Sequence, residues 1–131
     1  MSTYMNIVDI ESTCWDDPIE DKQNVSEIIE IGIVQIDTDT FEINKCESII
    51  IKPVESRISE FCTTLTGWTQ DRVDANGIGF EDALELLVNN YDSKRFPWGS
   101  YGDYDKNMFI RQCNRRKLEY PFSNEHTNIK E

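Results

Sequence analysis

The chain has one histidine and four cysteines in 131 residues. Cys14, Cys46, Cys62 and Cys113 are scattered, with no Cys-x-x-Cys pair, so neither the usual donor sets of a zinc site nor a disulfide framework is present. Reduced thiols of a cytoplasmic protein fit this usage best. Basic residues are also scarce: 13 Lys and Arg stand against 25 Asp and Glu, for a formal charge of −12 and a pI near 4.4. Affinity for nucleic acid comes largely from Lys and Arg neutralising phosphates, so this balance excludes a protein that grips polyanions over its whole surface. Any such contact has to be local and metal-assisted. Basic residues do gather late, at Lys106, Arg111, Arg115, Arg116 and Lys117, where a solvated helix face and a phosphate track both remain open. No segment approaches the roughly 20 apolar residues that span a bilayer, and no basic stretch followed by an apolar run opens the chain. The expectation is a soluble intracellular protein with no membrane partner. With 38% hydrophobic residues, residues 1–131 should form one domain around a single core.

Against that background two charges stand out. Asp9 and Glu11 sit one residue apart at the end of the apolar, β-branched run Ile7-Val8-Asp9-Ile10-Glu11. Residues i and i+2 of a strand point to the same face, so both carboxylates would project side by side. Adjacent like charges repel unless a cation lies between them. With oxygen donors only, the natural occupant is a hard divalent ion, Mg²⁺ or Mn²⁺. A strand end with two solvent-facing acids is the simpler alternative. The residues that follow, Ser12, Thr13, Cys14 and Trp15, point instead to a strand that stops at a site.

Strands are expected over about residues 5–11, 27–37 and 45–52, joined by an acidic linker (16–24, with Pro18) and a Thr/Asp turn (37–40). Three consecutive strands with short links predict an antiparallel meander. Thr69 is a plausible N-cap for a short helix over 70–74. Residues 80–91 give the clearest helix, because Phe80, Ala83, Leu84, Leu87, Val88 and Tyr91 recur at three- and four-residue spacing. A fourth strand is expected near 95–101, with Pro97 at its start or at an unpaired position. A helix follows over about 105–117, with Met108, Phe109, Gln112 and Cys113 facing inward. No internal repeat or low-complexity tract is present. Trp15, Trp68 and Trp98 should pack, and Glu30 reads as a hydrogen-bonding structural acid rather than a ligand. The acidic linker lacks the spacing and the Gly of a calcium loop.

A third acid lies in Trp98-Gly-Ser-Tyr-Gly-Asp-Tyr-Asp105, at a strand-to-helix junction where α/β folds place functional groups. With this Asp…Glu…Asp order the chain resembles the DEDD exonucleases, most closely the Eri1-like 3′–5′ exonucleases. The matching blocks, in order, are Asp-Ile-Glu-Ser-Thr-Cys-Trp (9–15), Glu-Ile-Ile-Glu-Ile-Gly (27–32), Ser-Glu-Phe-Cys-Thr-Thr-Leu-Thr-Gly-Trp-Thr (59–69), the 98–105 block, and Tyr-Pro-Phe (120–122) with His-Thr-Asn-Ile-Lys (126–130). The resemblance implies a ribonuclease H-like α/β fold, a mixed sheet in which the meander is joined by parallel strands and flanked by helices. It further implies metal-dependent removal of 3′-terminal nucleotides from single-stranded RNA or DNA. Asp9, Glu11 and Asp105 would hold two Mg²⁺ or Mn²⁺ ions, with Asp9 bridging both and Asp103 competing with Asp105 for the third position. Two such ions about 4 Å apart activate water and stabilise the leaving 3′ oxygen. Tyr104 and Leu65 would sandwich the 3′-terminal base, with Thr66 and Thr13 near the terminal nucleotide.

The family also carries a third motif, a catalytic His followed by a fourth Asp, on or beside a final helix. No residue here matches either one, and His126 belongs to the block that precedes that motif. The expectation is therefore a domain truncated at its C-terminus, lacking the final helix, with apolar sheet surface left open. A second chain could supply the missing motif. A catalytically inactive relative that binds nucleic-acid ends or a protein partner is the alternative.

Overall fold

The computed structural model describes residues 3–130. Its centre is a five-stranded sheet of order β3-β2-β1-β4-β5, formed by β1 (Tyr4–Ser12), β2 (Ile28–Asp37), β3 (Ile43–Ile50), β4 (Trp98–Ser100) and β5 (His126–Asn128). β1 pairs antiparallel with β2, and β2 with β3, giving the expected meander. β4 lies parallel to β1 and β5 parallel to β4, so β1 occupies the middle of the sheet.

Alternation along β1 sorts its side chains. Asn6, Val8, Ile10 and Ser12 are buried, whereas Asp9 is exposed. Across the ladder Val8 faces Ile33 and Ile10 faces Ile31, and these join Ile49 beneath two long helices, α4 (Phe80–Tyr91) and α5 (Tyr104–Arg116). α4 contributes the stripe Phe80, Ala83, Leu84, Leu87 and Tyr91, and α5 contributes Met108, Phe109 and Cys113. Each fully buried aliphatic side chain is worth about 1.5–3 kcal/mol. Trp98, with no exposed surface, stacks on Phe122 with ring centroids 3.9 Å apart. Two buried polar groups bridge helix and sheet: Gln35 donates to Asn6 Oδ1 and to the Tyr91 carbonyl, tying the end of α4 to the sheet, and Gln112 Oε1 accepts from Ile28 N while its amide nitrogen is left without a partner among the described residues.

Three short helices complete the chain: α1 (Pro18–Gln23), α2 (Glu60–Thr66) and α3 (Gln70–Asn76). Thr69 caps α3 by accepting from Arg72 N, as expected. α2 ends at Gly67 with φ 81, a left-handed conformation that L side chains rarely adopt. The acidic stretch at 16–24 is not a linker. The Asp17 side chain accepts from Ile19 N and Pro18 sits in the first turn, two features that together start a helix. The fourth strand is shorter than expected, at three residues, because Pro97 has no N–H to extend the ladder.

The opposite face of the sheet is open. Ile7, Asp9, Gly32, Val34, Cys46 and Ser48 line a shallow, mostly apolar groove there. Among the described residues, no helix is long and apolar enough to cross a membrane.

Candidate active site

Asp9 and Glu11 project from the open face of β1, as strand periodicity requires, and Glu11 pairs in register with Glu30 of β2. Asp105 arrives from the other side, on the first turn of α5, where it is only 6% exposed. It is fastened to the strand that bears the other two acids, because Ile10 N donates to Asp105 Oδ2 at 3.2 Å. Burial, and the nearby charges of Asp9 and then Glu11, push the Asp105 carboxyl up to about 6; the Ile10 amide opposes them. Glu11 is raised as well, by burial first and then by Asp9 and Glu30. Asp103, at the N-cap of α5, makes no side-chain capping bond and is exposed. The structure thus brings Asp9, Glu11 and Asp105 into one electrostatic group.

That grouping is the test of fit for a divalent cation. The donors are all carboxylate oxygens, the type preferred by Mg²⁺ and Mn²⁺, and two of the three have their pKa raised, by burial first and by neighbouring like charge second. Among the described residues, no three His, Cys, Asp or Glu side chains are drawn closely enough to chelate an ion. A cation between the carboxylates would offset the repulsion among them. The donor set fits.

Both oxygens of Glu30 are engaged in hydrogen bonds. Its Oε1 accepts from Trp68 Nε1 at 3.0 Å and its Oε2 from Ser48 Oγ at 2.5 Å. It is a structural acid that holds the turn after α2 against the sheet, and Trp68 is half-buried in consequence. Leu65, 62% exposed, and Tyr104, 53% exposed, stand as large apolar groups at the surface. Thr66 is occupied locally, donating to the Cys62 carbonyl and accepting from Trp68 N. Thr13 is fully buried: its hydroxyl accepts from Glu27 N and hydrogen-bonds Ser56 Oγ, so it lies behind the site rather than on its surface.

Two residues not singled out in the sequence prove important. Glu27, 1% exposed, accepts from Val54 N, Glu55 N and Ser56 Oγ. It pins the segment after β3 beside Thr13. Ser12 Oγ lies 2.9 Å from Tyr104 OH. Neither role was visible, since a Glu at a strand start and a Ser at a strand end have many uses.

His126 is placed elsewhere. It stacks edge-on against Trp98 and bonds Ser100 Oγ at 2.8 Å, on the helix-covered face, opposite the one that carries Asp9 and Glu11. Ser100 donates its own proton to the Gly102 carbonyl, so the His126 Nε2 is the donor. Burial and then Lys106 lower the His126 pKa, with Asp103 opposing. Of the basic cluster, Arg115 is held by Glu55 at 2.9 Å and by the Ser26 carbonyl.

A mixed sheet with two acids on its central strand and a third on the helix after β4 defines a ribonuclease H-like nuclease domain. The model of the exonuclease (RNase T) family matches residues 7–87. The chain belongs to that family, among the DEDD-type 3′–5′ exonucleases. It is 34% identical to the 3′-5′ exoribonuclease 1 of Rattus norvegicus over 97% of this chain and 39% of the relative. It is 42% identical to the ERI1 exoribonuclease 2 of Xenopus laevis over 90% of this chain and 20% of the relative. Among solved structures, the nuclease domain of 3′hExo, a DEDDh family member bound to rAMP, superposes with a TM-score of 0.81 at 30% identity, covering 98% of this chain and 67% of that one. The chain spans about two fifths of the length of the first of these relatives.

Proposed function

We propose that this chain is a metal-dependent 3′–5′ exonuclease domain that hydrolyses the terminal phosphodiester of single-stranded RNA or DNA. The observation that carries the reading is the fastening of Asp105 to the Ile10 amide, which sets a buried carboxylate beside Asp9 and Glu11. In this reading Asp9, Glu11 and Asp105 hold two Mg²⁺ or Mn²⁺ ions, with Asp9 shared between them. When bound, such ions generate a hydroxide at neutral pH and stabilise the leaving 3′ oxygen. The chain's own residues do the rest. Tyr104 and Leu65, two exposed apolar groups on different elements, take the terminal base between them. Stacking of this kind is sequence-tolerant and worth about 1–3 kcal/mol per base. Thr66 follows Leu65 at the end of α2 and in this reading stands near the terminal nucleotide, while Thr13 supports the loop behind. The cytoplasmic setting inferred from the scattered thiols belongs to this proposal, as does completion of the site by a second chain carrying the His and Asp of the third motif.

The test is degradation of short 5′-labelled single-stranded RNA and DNA with Mn²⁺, comparing this chain with Asp9→Ala. A ladder of products shortened from the 3′ end and lost in the variant supports the reading. Saturable binding without cleavage, unaffected by Asp9→Ala, would overturn it in favour of a module that only binds ends.

A further inference from the structure

We propose that Ser12 is a positioning residue for the terminal base: its hydroxyl holds the phenol of Tyr104, so that the ring stands as a fixed wall beside the carboxylates. The proposal rests on the reading of Tyr104 as a stacking surface. Tyr104 is the first residue of α5 and is more than half exposed. A tyrosine ring in that setting samples several rotamers unless something holds its far end. The bond to Ser12 Oγ at 2.9 Å does so.

Ser12 is itself firmly placed. It is 9% exposed and lies at a register shift, where Glu11 pairs with Glu30 but Ser12 pairs with Ile28. Irregularities of this kind re-aim a side chain. The Ser12 carbonyl accepts from Cys62 Sγ at 3.5 Å, and the next amide, Thr13 N, donates to the Glu27 carbonyl at 2.8 Å. A rigid group therefore holds a mobile one.

This bond is one of a pair. Ile10 N grips Asp105 and Ser12 Oγ grips Tyr104, so alternate residues of β1 fasten consecutive residues of α5, while the residue just before each of them, Asp9 and Glu11, carries a carboxylate. The base wall and the three acids are thereby referred to a single strand. A base that stacks on Tyr104 arrives with its phosphate at a set distance from the carboxylates, and the ring's rotamer is fixed before binding instead of on binding.

The test is binding of a 5′-labelled single-stranded RNA to the 131-residue chain with Ca²⁺ in place of the catalytic ions, which removes any dependence on turnover. Loss of one neutral hydrogen bond predicts that Ser12→Ala raises Kd by about threefold to tenfold. Tyr104→Phe should do the same, and the double variant should add nothing further. Ser12→Thr, which retains a hydroxyl, should restore affinity. An RNA whose 3′ nucleotide is abasic should bind wild type and Ser12→Ala equally. Equal weakening on both RNAs would make Ser12 merely structural and overturn the proposal. So would unchanged affinity in Ser12→Ala and Tyr104→Phe where Tyr104→Ala weakens binding. If Tyr104→Ala itself has no effect, it is the stacking reading that fails.

Discussion

Asp105→Asn should stabilise the metal-free protein, because the native fold holds this carboxylate at an energetic cost. Its pKa rises from 3.8 to about 6. A folded pKa above the unfolded one means that the native state binds more protons, so stability from this group is greatest below about 3.8 and declines as pH climbs to about 6. Above that value the full penalty applies, about 3 kcal/mol at 1.36 kcal/mol per pH unit. Asparagine carries no charge to desolvate or repel, and its side-chain oxygen can still accept from Ile10 N. In EDTA at pH 7.5 the variant should therefore melt higher, by up to about 10 °C for a domain of this size. The advantage should shrink as pH falls from 6 toward 3.8, with the difference between the two proteins cancelling the acids outside the Asp9, Glu11 and Asp105 group. If Asp105 is a metal ligand as proposed, saturating Mn²⁺ should reverse the order, because the variant lacks that carboxylate. A variant that is less stable in EDTA at pH 7.5, with a pH-independent difference, would refute the electrostatic reasoning.

Glu27→Ala strips three donors on the partly exposed segment 54–56 of a buried acceptor, and should lower stability by about 1–3 kcal/mol, read as a reduced urea midpoint with unchanged slope. Glu27→Gln should cost less. Leu65→Ala, at a mostly exposed position, should leave stability within about 0.5 kcal/mol but weaken binding of a 3′-terminal base roughly fivefold, the equivalent of about 1 kcal/mol of lost apolar contact. His126→Gln should leave the cleavage rate and its pH profile unchanged, since the imidazole is committed to Ser100 and Trp98; a lost limb in the profile would contradict this.

The elements with strong periodicity were legible in the sequence. Residues 80–91 gave α4 to the residue, since its six apolar positions repeat at helical spacing, and the β-branched runs gave β1 and β2 within one residue at either end. The weaker elements were hidden by composition. Asp17-Pro18 starts α1, but in a stretch with no buried residue nothing periodic reinforces the cap. β5 is three residues of His-Thr-Asn that become a strand only because β4 lies alongside. The acidic group followed from Asp9 and Glu11 sharing a strand face, whereas choosing Asp105 over Asp103 needed the family pattern. The Ile10 amide holds Asp105 against β1, while Asp103 stays exposed at the helix N-cap. Glu27 and Ser12 act through partners 27 to 92 positions away, and no local pattern announces contacts of that range.

The position of β1 in the middle of the sheet also bears on how the molecule opens. Over Asn6–Val8 both of its edges pair with neighbouring strands and one of its faces lies under α4 and α5, so the amides of that stretch should exchange with solvent only in near-global unfolding. Leu65, by contrast, rides on a seven-residue helix with one buried side chain, Cys62, and can lift away in a local opening of much lower free energy. If Tyr104 and Leu65 flank a base as proposed, its two walls would then live on different timescales. The one tied to β1 would keep its place through most fluctuations, while the one on α2 comes and goes, so that release of a cleaved nucleotide could proceed by moving one wall without disturbing the carboxylates.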